Sequence, residues 1–160
     1  MTTLLERRRI EAEFAKAVFD EMLPVMGEDR ALELLGAVAR KLAHAMGRQL
    51  AAQDGATDLA SFAANLALWS EGGAQEIEPC EATDTSLAFD VTRCRYAEMY
   101  REIGAEKLGA ALSCNRDGAL CEGYDSRITM QRDDTIMAGK ARCNFRFTLA
   151  PGPAGPPEKA

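Results

Sequence analysis

The sequence predicts an α+β fold, with a helical N-terminal half packed on a small antiparallel sheet from the C-terminal half. Two changes of hydrophobic period support this. Between Ile10 and Trp69 apolar residues recur at three- and four-residue steps, the spacing of one helical face, whereas Leu87, Phe89 and Val91, and later Cys143, Phe145, Phe147 and Leu149, recur at every second residue, the spacing of a half-buried strand. Chain length is the third observation. At 160 residues with 47% hydrophobic content, one core is large enough to order the chain without disulfides or a structural metal, so a single domain is expected over residues 1–150.

Taken in order, Ile10, Phe14, Val18 and Met22 form the expected core-facing stripe of a first helix, closed by Pro24. A second helix over about residues 28–50 carries Leu32, Leu35, Val38, Leu42 and Met46 on one stripe. A third starts at Thr57 or Asp58 as N-cap, aligns Leu59, Phe62, Leu66 and Trp69, and stops at Gly72-Gly73. The segment from Gln75 to Pro79 pairs with the Leu87–Val91 strand across a polar turn at Glu81–Thr85. Tyr96, Met99, Tyr100 and Ile103 restore helical spacing up to Gly104, and a further helical stretch runs through Leu108 and Leu112. Strands return at Ile128–Gln131 and Cys143–Leu149. No internal repeat is visible.

Nineteen basic residues are scattered among twenty-five acidic ones, giving a net charge of -6 and no cationic surface for a phosphate backbone, so nucleic acid is not an expected partner. No apolar run has the length of a membrane span and Met1 to Arg9 lacks a signal-peptide core, so a cytoplasmic protein is expected, with no membrane partner. Five cysteines then remain as thiols. The Pro/Gly-rich tail, residues 151–160, has no apolar anchor and is expected to be disordered. The Leu-rich helical faces suit a homo-oligomer contact as well as a core.

Reactive side chains concentrate in Ser113-Cys114-Asn115-Arg116-Asp117, where one helical stretch is expected to end and another to begin. A thiol just before a helix N-terminus has a lowered pKa, which makes Cys114 the nucleophile candidate; the alternative is a cysteine packed as a small hydrophobe. Asp117, three residues on, shares its side of a continuing helix and is an acid–base candidate, or else a helix-terminal cap. Arg132 and Thr135 flank Asp133-Asp134 at a strand end, where a guanidinium suits bidentate capture of a substrate carboxylate, or pairing with the neighbouring acids. Cys143 packs by default, and Cys94 ends the strand that approaches it. Cys94, Cys114, Cys121 and Cys143 lack the paired Cys-x-x-Cys knuckles of a zinc site, so neither metal nor cofactor is expected. His44, the one histidine, lies in the second helix, which leaves no conventional Cys-His pair unless it folds back onto Cys114.

Five segments together resemble the L-2-amino-thiazoline-4-carboxylic acid hydrolases: Cys94 through Tyr100, Leu112-Ser-Cys-Asn-Arg-Asp117, Glu122-Gly123, Arg132-x-x-Thr-Ile136, and Gly139-x-x-x-Cys-Asn-Phe-Arg-Phe147. One departure is Asn144, where an aspartate is expected after the cysteine. The resemblance implies hydrolysis of a cyclic isothiourea or related cyclic amidine bearing a carboxylate, aminothiazoline carboxylate yielding N-carbamoyl-L-cysteine in a bacterial route to cysteine. It implies that Cys114 attacks or orients the ring carbon, or that Asp117 activates water. Asp117 then moves the proton, Asn115 donates a hydrogen bond, and Arg132, with Thr135, binds the substrate, Cys94 and Cys143 being second choices. More loosely, Glu122-Gly123 followed by strands and Cys143-Asn144-Phe145 is similar to small ligand-binding domains related to the 4-vinyl reductase family, which implies a non-enzymatic pocket for a hydrophobic ligand.

Overall fold

In the computed structural model, which describes residues 2–55 and 57–153, helices α1 (Leu4–Met26) and α2 (Glu28–Asp54) come first. Thr3 and Glu6 cap each other's backbone amides at the start of α1, and Gly27, at φ 78°, turns the chain into α2 where a side chain would be strained. Pro24 does not close α1: so near the end only one backbone hydrogen bond is lost, and the helix runs on to Met26. Helix α3 (Leu59–Leu66), capped by Asp58, leads through a 3-10 turn to the hairpin of β1 (Gln75–Ala82) and β2 (Ser86–Cys94). Then follow α4 (Arg95–Glu102), α5 (Glu106–Gly109), α6 (Arg116–Tyr124), β3 (Ile128–Gln131) and β4 (Cys143–Leu149). The most tail-like residues, 154–160, lie outside the described residues.

The four strands form one antiparallel sheet in the order β1-β2-β4-β3. Register places Leu87 opposite Phe147, Phe89 opposite Phe145 and Val91 opposite Cys143, so one face is apolar across three strands. Phe89 and Phe145 stack at 5.0 Å, and Phe62 of α3 meets Phe147 edge-on at 5.4 Å, each buried ring contributing roughly 2–3 kcal/mol. Among the described residues, no helix is long and apolar enough to cross a membrane.

The stripes expected to face the core on the two long helices are only partly covered: Met22, Leu32, Leu35 and Met46 pack against it, while four other members turn outward. Ile10 and Phe14 are 64% and 74% exposed, Val38 and Leu42 56% and 55%. The covered face of α1 is Arg8, Ala12 and Phe19; that of α2 is Ala31, Gly36, Ala39, Ala43, Gly47 and Ala51. The reason is steric. Helix α6 crosses α2 so closely that a Cβ at Gly47 would run into the Leu120 carbonyl and one at Gly123 into the His44 carbonyl, and only small residues permit that approach. Periodicity reveals an apolar stripe but not which neighbour covers it.

Candidate active site

Asn115 stands at the N-cap position of α6, but with helical φ and ψ and no capping hydrogen bond from its side chain, so no free helix terminus opens there. Helical backbone continues from α5 into α6 through one π turn, Ala110–Cys114, closed by the Asn115 N–H donating to the Ala110 carbonyl at 2.9 Å. Extra residues in such a turn rotate the following side chains relative to an α-helix, and this turn brings Cys114 and Asp117 onto one cavity. Its volume is about 70 Å³, and it lies among the start of α1, the middle of α2, the end of β2, the π turn with α6, and the Arg132–Phe145 region. Cys94, Arg132 and Cys143 line it as well.

Arg132 is the hub. Its Nη1 donates to Asp117 Oδ2, its Nη2 to the Cys114 carbonyl at 3.1 Å, and its guanidinium lies over the Phe145 ring, 4.9 Å from the centroid. Nε is buried and finds no partner among the described residues. Within that set the Asp117 carboxylate accepts from Arg132 alone, and burial pushes it up to about 6 against the opposing pull of Arg132. An acid of that pKa exchanges a proton readily near neutrality, which suits general acid–base work.

The thiols behave in the opposite sense from the expected lowered pKa. Because the helix runs through position 114, Cys114 gains no unpaired helix-terminal amides; burial, reinforced by the Asp117 charge, pushes its thiol up to about 12. Burial likewise raises Cys94 and Cys143, and the Cys143 sulfur accepts from the Ile136 N–H at 3.2 Å. Cys121 is buried off the cavity, donating to the Asp117 carbonyl at 3.1 Å, and Cys80 is exposed on β1. His44 does not line the cavity.

Two sequence-selected residues stand away from the cavity lining. Asn115 donates to the Gly36 carbonyl at 3.4 Å, tying α6 to α2, and Thr135 caps the 3-10 turn Ile136–Ala138 by accepting from the Ala138 N–H at 3.1 Å. Asn144 is on the opposite face of the sheet, where its Oδ1 accepts from the amides of Asp133 and Asp134 at 3.0 and 2.8 Å and so fixes the loop that follows Arg132. A carboxylate oxygen would accept the same two bonds. Cavity residues to which sequence reasoning gave no role include Arg8, Arg116, which stands inside the reactive cluster, and Gln75, whose buried Oε1 has no partner among the described residues. Arg8 carried a signal, since it shares the covered helical phase of Ala12 and Phe19. Gln75, at the start of a strand, carried none.

Residues 7–147 match the model of the L-2-amino-thiazoline-4-carboxylic acid hydrolase family. No curated protein matches the chain. Among solved structures, the phenol-responsive sensory domain of the transcription activator PoxR, with phenol, is similar at a TM-score of 0.52 and 13% identity, over 86% of this chain and 74% of that one. A trafficking protein particle complex subunit 3 from Naegleria fowleri, covalently bound to palmitic acid, is similar at 0.52 and 12% identity, over 91% of this chain and 96% of that one. At such identities the likeness is one of fold. The family match spans nearly all of the α+β unit and the whole cavity except Leu4, and on that ground the chain belongs to the L-2-amino-thiazoline-4-carboxylic acid hydrolase family.

Proposed function

We propose that the chain hydrolyses a small cyclic isothiourea or related cyclic amidine that carries a carboxylate, with 2-amino-thiazoline-4-carboxylate as the leading substrate. The observation that carries this reading is a carboxyl group poised near pH 6 beside a largely buried guanidinium in a cavity shared with three neutral thiols. Asp117 takes a proton from water as the oxygen bonds to the ring carbon between nitrogen and sulfur. The C=N electron pair passes to the ring nitrogen, which takes the hydroxyl proton as C=O forms; the C–S bond breaks, and the departing sulfur receives the proton that Asp117 holds, leaving a carbamoyl group and a free thiol. Arg132 stabilises charge on the adduct, its unpartnered Nε being the donor left over. Gln75 Oε1 is an acceptor for an amidine N–H. Cys114, held as a thiol, shapes the cavity and is not required to attack.

Incubation of the protein with racemic aminothiazoline carboxylate, with and without a chelator, tests the reading by thiol release. Release that survives chelation and is lost in Asp117→Asn supports it; no release from any cyclic amidine carboxylate sinks it.

A second reading is a non-enzymatic small-ligand domain, favoured by the fold likeness to proteins solved with phenol and with palmitic acid. The cavity argues against an acyl chain, because its wall carries Arg8, Arg116, Arg132 and Asp117. Mass spectrometry of the purified protein separates the two readings, since a retained apolar molecule would favour binding without turnover.

A further inference from the structure

Arg8 and Arg116 are the two charged cavity residues for which the hydrolytic chemistry has no use. Arg8 is largely buried, with 11% of its side chain exposed, and Arg116 with 14%. Both reach the same atom: Arg8 Nη1 donates to Glu11 Oε2 at 2.6 Å and Arg116 Nη2 to that oxygen at 3.1 Å. Arg116 Nε is satisfied by the Leu112 carbonyl at 2.7 Å, and Arg8 makes its one side-chain hydrogen bond, among the described residues, to Glu11. Two guanidiniums thus lean on one carboxylate that is itself 42% exposed. Burial lowers the pKa of Arg116, and the neighbouring Arg8 charge lowers it further, so the two cations repel. Holding paired cations out of water with one counter-charge is costly unless a second anion completes the set.

Charge on the cavity gives the class of that anion. Arg8, Arg116 and Arg132 face Glu11 and Asp117, which leaves a single positive charge for a monoanion to neutralise. Arg132 is a poor seat for it, because both of its terminal nitrogens are engaged, with Asp117 and the Cys114 carbonyl, and its face is covered by Phe145. Binding a carboxylate there in the forked mode would take the guanidinium away from Asp117. We infer that Arg8 and Arg116 form the seat for the carboxylate of the ligand, with Glu11 as the counter-ion that holds the seat open, and that Arg132 serves the reacting end. This rests on the hydrolase reading only in that it names where such a substrate is gripped.

The test uses thiazolidine-4-carboxylate, which lacks the amidine carbon and cannot be opened by this reaction, and its carboxamide, by isothermal titration calorimetry on the full chain. Arg8→Met should weaken the carboxylate by about tenfold or more and leave the amide unchanged, the loss of one charge-assisted contact. Glu11→Gln, which removes the competing carboxylate, should tighten the carboxylate by about threefold or more, a direction that damage to the fold would not produce. Carboxylate binding equal to wild type in both variants, loss of binding in Arg132→Met alone, or no wild-type preference for carboxylate over amide overturns the seat. Thiol release by wild type is scored separately. Turnover with an unaltered KM in Arg8→Met ends the seat and spares the hydrolase, while tight carboxylate binding without turnover of any cyclic amidine ends the hydrolase and spares the seat.

Discussion

Asp117 and Asp125 each meet an arginine inside the protein, yet their pKa values move in opposite directions. Asp125 is fully buried, and four donors converge on it: the Arg127 backbone amide at 2.9 Å, Arg127 Nε at 3.0 and 3.2 Å, Arg127 Nη2 at 2.7 Å and the Thr57 hydroxyl at 2.5 Å. Burial alone would raise its pKa, but these hydrogen bonds outweigh it and hold the carboxyl below its ordinary range. Asp117 has one such partner, and there burial wins. A salt bridge by itself therefore does not fix the pKa of a buried acid; the balance between its burial and the donors that reach it does. The saturated pair ties residue 57 and, through Arg127 Nη1, the Gly152 carbonyl to the α6–β3 junction, whereas the under-supplied pair keeps a proton exchangeable.

The largest expected effect breaks the contrast on the side of activity. Asp117→Asn should lower kcat for thiol release, counted per folded molecule because Arg132 also loses its counter-ion, by about 10²–10⁴-fold, the range for loss of a general acid–base group. Asp125→Asn should do the reverse. Leaving Arg127 without its counter-ion is expected to cost about 3–5 kcal/mol, read from urea unfolding, while turnover per folded molecule stays near that of wild type.

A third test sharpens the difference through pH. With its carboxyl raised from 3.8 to about 6, folded Asp117 keeps a proton that the unfolded chain has already released, so its contribution is full below about pH 4 and is lost as pH rises through about 6. Asp125, whose pKa is lowered, contributes above about pH 4 and loses that share as the solution becomes more acid. Urea melts between pH 4 and 7 should show a decline with rising pH that flattens in Asp117→Asn, and a decline that persists unaltered in that variant would contradict the raised value. The smallest effect belongs to Cys114→Ser. With the thiol neutral up to about 12, turnover should stay within about tenfold of wild type; a collapse to background would return the attack to sulfur.

Much of this was legible in the sequence because it depends on local pattern. The hairpin, the inward face of β4 and the helix carrying Phe62 follow from period and turn chemistry, and the nearness of Cys114 to Asp117 follows from their spacing, whereas Arg132 joins them only through the family resemblance. What escaped depends on packing. The π turn leaves no mark in composition, yet it denies Cys114 the helix terminus that its neighbours seemed to offer. Arg8 looked like one more basic residue in Arg7-Arg8-Arg9, although its phase with Ala12 and Phe19 places it on the covered side. The outward turn of Phe14 and Val38 was hidden for the same reason: alanine and glycine, weak in any hydrophobicity count, are what a close helix crossing selects.

That crossing bears on the chemistry. Where Gly47 and Gly123 let main chain touch main chain, there is no pliable layer of side chains to absorb a shift, so α6 is keyed to α2 as a tooth is to its slot. Asp117 sits less than two helical turns upstream on the same rod, and its aim at Arg132 is set by that backbone seating. One added methyl at either glycine would pry the rods apart and swing the carboxyl away from Arg132, so the proposed proton transfer would depend on two residues with no functional group.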